Sequence, residues 1–138
     1  MTAKEYLGQL KTLARNIDIL YENIERDRAR LESVTISLKP DKVQTSVSGD
    51  KFGDAIARLA DKDLQRRDMV VIYEGMRDRI IDQIMEVPSL QGTLLYEHYV
   101  KFKPWHVIAA ELHYSESHVY NQHLLALQTF DKLYGPFF

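Results

Sequence analysis

The chain has 138 residues, with 18 Lys and Arg against 20 Asp and Glu, and no cysteine. That length holds one compact domain, or a small domain with an extension, and 45% hydrophobic with 28% charged residues is a globular rather than a disordered mixture. Disulfides, thiol nucleophiles and cysteine-ligated zinc are excluded, and the longest apolar run, Met69-Val70-Val71-Ile72-Tyr73, falls far short of the roughly 20 residues a bilayer requires.

The amino terminus, Met1 to Tyr6, carries no apolar signal core, so a cytoplasmic protein without a membrane partner is expected. A net charge of −2 argues against a chain that coats nucleic acid indiscriminately, but not against one that reads a site with neutral polar side chains. All five histidines (98, 106, 113, 118 and 123) lie beyond residue 90. Such segregation points to two functional parts.

The first part, residues 1–87, reads as a helical hairpin. Stepping by threes and fours from Ala3 gives Tyr6, Leu10, Leu13, Ile17, Leu20, Ile24, Asp27, Leu31 and Val34, an apolar stripe broken only at Asp27. This heptad-like pattern predicts a helix over about 2–33. A second stripe, Phe52, Ile56, Leu59, Val70, Tyr73, Ile80, Ile84 and Val87, predicts a helix over 52–87, with Asp63 and Arg66 in the missing steps. The linker, 34–51, holds the turn signals Lys39-Pro40-Asp41 and Ser48-Gly49-Asp50; Val43 to Val47 between them is either an ordered arm or mobile. Folded back, the helices make a hairpin about 45 Å long at about 1.5 Å per residue. The apolar patch at 69–73 demands neighbours on several sides. The carboxy-terminal part or a second copy of the chain supplies them, and a homo-oligomer, a dimer first of all, is expected.

The second part, 88–138, follows Pro88-Ser89. A short helix from Leu90 to Val100 presents Leu94, Leu95, Tyr96 and Tyr99. Pro104 then occupies a helix first turn, and Trp105 to Leu112 buries Trp105, Ile108, Ala109 and Leu112. After the turn His113-Tyr114, Ser115 is an N-cap for a helix from Glu116 to about Leu133, with Val119, Leu124, Leu127 and Phe130 facing inward. Helix, short turn and helix, with a small residue in the first and an apolar one early in the second, is helix-turn-helix grammar. The predicted fold is all-α: a coiled-coil-like hairpin followed by a small helix-turn-helix domain.

The segments Tyr99-Val100, Trp105 to Leu112, Ser115 to Tyr120, His123 and Ala126-Leu127 resemble the fourth region of sigma-70-type factors. They are more similar still to phage-encoded, sigma-like regulators of the ArpU and RinA type. The match covers residues 90–130, while the first part matches in layout only. The resemblance implies a phage or prophage late-gene activator that binds double-stranded DNA and contacts RNA polymerase in the bacterial cytoplasm.

On that reading Ser117, His118, Asn121 and Gln122 touch base edges, with Asn121 and Gln122 suited to adenine. Without the motif they are ordinary solvated residues. Lys101, Lys103, Ser115, Glu116, Tyr120 and His123 contact phosphates or position the helix; Glu116 equally complements the helix dipole. From residue 88 onward three lysines face four carboxylates, few cations for a DNA reader. Protonating all five histidines would raise this net charge from −1 to +4, so DNA affinity is expected to rise as pH falls through about 6.5.

The histidine spacings do not match helical zinc sites, and no nucleophile elbow or Gly-rich phosphate loop is present, so neither metal, cofactor nor catalysis is expected. Two alternatives remain: a DNA-packaging subunit like a small terminase, assembled as a ring, and a helical interaction protein that does not bind DNA. The tail Gly135-Pro136-Phe137-Phe138 either docks on the hairpin or stays exposed.

Overall fold

Thr2 and Glu5 close the start of the first helix on each other. The Thr2 backbone N–H donates to Glu5 Oε2 at 2.8 Å and the Glu5 N–H to Thr2 Oγ1 at 3.2 Å, a reciprocal capping box. The computed structural model describes residues 1–37 and 49–138, and among them every regular element is helical. The order is α1 (Ala3–Ser37), α2 (Gly49–Met85), α3 (Ser89–Leu95), one π-helical turn (Tyr96–Val100), α4 (Trp105–Leu112), α5 (Glu116–Tyr134) and a closing 3₁₀ turn (Gly135–Phe137). The described residues are therefore all-α. The arm expected at 43–47 lies outside the described residues, and no described helix is long and apolar enough to cross a membrane.

The chain divides into two compact units, residues 15–71 and residues 1–14 with 72–138. The boundary expected at 87/88 thus falls inside the second of these.

Within 15–71, α1 and α2 lie antiparallel. Arg66 covers the ring of Tyr21, and further along Lys62 pairs with Asp27, so numbering rises on one helix as it falls on the other. Ile24 is buried there. Asp63 and Arg66, the polar steps in the apolar stripe of α2, bond each other at 3.2 Å and are both half-buried. The stripe is interrupted by an ion pair in which Asp63 also takes Arg67 and the buried Arg66 Nε has no partner.

In the unit of 1–14 and 72–138, Leu7 and Leu10 of α1 pack with Ile80 and Ile84 of α2, Leu95 of α3, Tyr99 of the π turn, and Ala126 and Phe130 of α5. The chain end closes this core. Phe138 stacks on Tyr6 with ring centroids 4.5 Å apart, while Phe137 remains 81% exposed. A second cluster joins Leu94, Ile108, Ala109 and Val119. Between α2 and α3 the backbone turns through Ser89 at φ 58°, and a Cβ added at Gly92 would collide with the Val87 carbonyl oxygen.

Two local expectations are corrected. The helix expected over Leu90–Val100 changes character after Leu95: the Lys101 N–H reaches back to the Tyr96 carbonyl at 3.1 Å, five residues away. Leu124, expected inside, is 43% exposed. Counting by 3.6 from Val119 brings His123, Ala126 and Phe130 inward, whereas Leu124 stands about 140° around the helix.

Candidate nucleic-acid interface

The turn between α4 and α5 is built by three local devices. The Tyr114 N–H donates to the Ala109 carbonyl at 3.0 Å and the His113 N–H to that of Ala110 at 3.3 Å, the paired bonds of a Schellman stop, with His113 left-handed at φ 60°. Ser115 Oγ then accepts from the His118 backbone N–H at 3.1 Å and caps α5. Val119, four residues on, is buried against Ile108 and Ala109, with Leu94 beneath. With Val119 fixed inward, the residues half a turn away must face out.

Ser117, His118, Tyr120 and Asn121 are accordingly exposed, as are Ser115 and Glu116 before them. Gln122 is half-buried at the margin of the face. The ring of His118 lies 4.9 Å from that of Tyr114, which anchors the first turn of α5 to the preceding loop. Glu116 sits in the first turn, where its charge suits the helix dipole.

The lysines occupy a different setting from the one expected. Lys103 Nζ lies 2.8 Å from both Glu97 Oε2 and Glu111 Oε2, and these carboxylates, Glu111 first, hold its pKa above the ordinary value. Lys101 pairs with Glu97 at 3.4 Å and stands over the Tyr96 ring. The Glu97 carboxyl is kept low by Lys103 foremost. Both loop cations are thus already engaged.

His123 is a correction. It is 2% exposed, so a phosphate cannot reach it. The cause is its place four residues after Val119, on the inward stripe of α5. Its Nε2 lies 2.8 Å from the Tyr99 hydroxyl, and its Nδ1 is buried with no partner. Rings crowd it: Trp105 at 4.2 Å, Tyr99 and Tyr120 at 5.7 Å, and His98 at 6.0 Å. His98 stacks on Trp105 at 3.9 Å, and its Nδ1 donates to the Lys103 carbonyl at 2.8 Å. Burial, aided by His98 and Lys4, pushes His123 down to about 4. Burial also lowers His98 against the pull of the Lys103 carbonyl, with Lys11 and Lys4 adding to the depression. Burial and the neighbouring Tyr120 push Tyr99 up to about 12.

Two of the five histidines therefore resist protonation at the ordinary pH of 6.5, His123 most strongly. The gain of five charges expected on acidification is thus not available in full. Sequence reasoning missed the aromatic cluster and the Glu97–Lys103–Glu111 chain. The i, i+4 spacing of Glu97 and Lys101 was a usable signal. The links from Lys103 to Glu111 and from Tyr99 to His123 depend on how the turns fold. Among the described residues no three His, Asp or Glu side chains converge where a metal ion could sit. No protein-family model, curated protein or solved structure matches this chain.

Proposed function

We propose that the protein is a sequence-specific regulator of transcription that binds double-stranded DNA through a helix-turn-helix formed by α4 and α5. In this reading α5 enters the major groove. Ser117, His118 and Asn121 address base edges, and Gln122 contributes from the margin. The observation that carries it is the buried Val119 contact on Ile108 and Ala109 beside the Ser115 cap, which leaves a short polar face exposed at the start of a long helix. The resemblance of this segment to sigma-like phage regulators points to late-gene activation with host RNA polymerase in the bacterial cytoplasm. The two long helices of residues 1–87 serve as the oligomerisation or partner-binding part. Val71 and Ile72, 69% and 57% exposed, offer apolar surface for a homodimer.

The test is selection of bound duplexes from a random-sequence library by the full chain. A recurrent site is expected. The combined Asn121→Ala and Gln122→Ala variant should lose about 1–3 kcal/mol of preference for each bidentate contact removed. A library with no enriched sequence overturns the reading. One observation favours a second reading, a helical interaction protein without DNA: both loop lysines are tied to carboxylates. That reading stands if the natural chain binds no duplex even at low salt.

A further inference from the structure

The unit of residues 15–71 contains a polar pocket of about 290 Å³ lined by Asp27, Arg30, Leu31, Ala55, Arg58 and Lys62. Three cations and one carboxylate line it. Lys62 is bound to Asp27, while Arg30 and Arg58 are exposed and pair with no described carboxylate. Arg26 is exposed close by, and it acts with Arg30 on the Asp27 carboxyl, which Lys62 above all holds below the ordinary carboxylate range. Other exposed arginines of these helices differ among themselves: Arg28 bonds Glu25 at 2.6 Å and Arg67 bonds Asp63 at 3.1 Å, while Arg15 and Arg79 pair with no described carboxylate but do not line this pocket. Guanidinium groups left unpaired around a concavity fit an oxyanion that accepts two parallel N–H bonds from each.

A DNA reader needs phosphate contacts for affinity, and Lys101 and Lys103 are both committed to carboxylates. We infer that the pocket of Arg30, Arg58 and Lys62 is a phosphodiester site, by which the paired helices grip the backbone of a DNA duplex. Arg30 and Arg58 each engage phosphate oxygens. Lys62 joins them by releasing Asp27, the pocket's resident anion. This inference rests on the DNA reading, but on residues separate from the base-reading face.

The experiment measures affinity of the full chain for a long duplex of arbitrary sequence between about 50 and 200 mM salt. The Arg30→Gln/Arg58→Gln variant, which strips both guanidinium groups from the one phosphodiester, should flatten the slope of log affinity against log salt by up to about 0.9, the contribution of one phosphate. Asp27→Asn, which frees Lys62, should act in the opposite direction, with tighter binding and a steeper slope. Circular dichroism of each variant guards against loss of fold. An unchanged slope in the arginine variant, with Asp27→Asn no tighter, overturns the inference while leaving site selection by α5 intact. A flattened slope in a chain that selects no sequence supports the inference and overturns sequence-specific reading. Absence of any duplex binding by the natural chain at low salt overturns both.

Discussion

His123 is the residue whose surroundings differ most from its expected role. It stands in a ring of aromatic side chains, with one nitrogen at the Tyr99 hydroxyl, the other unpartnered, and no carboxylate among its named neighbours. A buried polar atom without a partner costs about 1–3 kcal/mol, and a charge there would cost more. The unfolded chain takes up a proton as pH falls below the ordinary 6.5, while the folded chain holds His123 neutral down to about 4. The folded state binds fewer protons in that window, so the contribution of neutral His123 is present above 6.5 and is lost towards 4. Melting temperature should therefore fall between pH 6.5 and 5, and His123→Gln should fall less steeply across the same interval. Parallel slopes for the two proteins would remove His123 as the cause.

At the level of elements, the corner between α2 and α3 has the least tolerance. Gly92 is buried, and the atom a Cβ would strike is the Val87 backbone carbonyl, which cannot swing aside as a side chain can. Gly92→Ala should destabilise the chain by about 1–3 kcal/mol in urea unfolding, the range for overpacking. A loss below about 0.5 kcal/mol, the range of indifferent surface changes, would mean the corner relaxes freely. The bounds of α4 were legible because Pro104 fixes its start, and those of α5 because Ser115 caps it. The long helices announced themselves by their stripes. The π turn at Tyr96–Val100 did not, because one extra residue in a helical turn leaves no periodic trace over five residues. Leu124 was misplaced because a Leu near an apolar stripe carries no mark of its angle; only the register set by Val119 decides it.

For the molecule as a whole, the polar face of α5 was readable from the motif, since burying Val119 dictates what faces outward. What surrounds that face was not readable. Whether a lysine is available for phosphate depends on neighbours such as Glu111, eight residues from Lys103. The influence of Lys4 and Lys11 on His98 joins residues some ninety positions apart. Charge counting along a segment therefore named the loop lysines without their carboxylate partners and left the arginines around Asp27 unremarked. The most direct measurement of DNA reading by α5 is amide chemical-shift mapping of the full chain against a duplex bearing the selected site. The largest changes are expected at residues 115–122, with Ser117 and Asn121 foremost and the buried stripe of Ala126 and Phe130 unmoved. Changes confined to other surfaces, with 115–122 silent at saturating duplex, would contradict it.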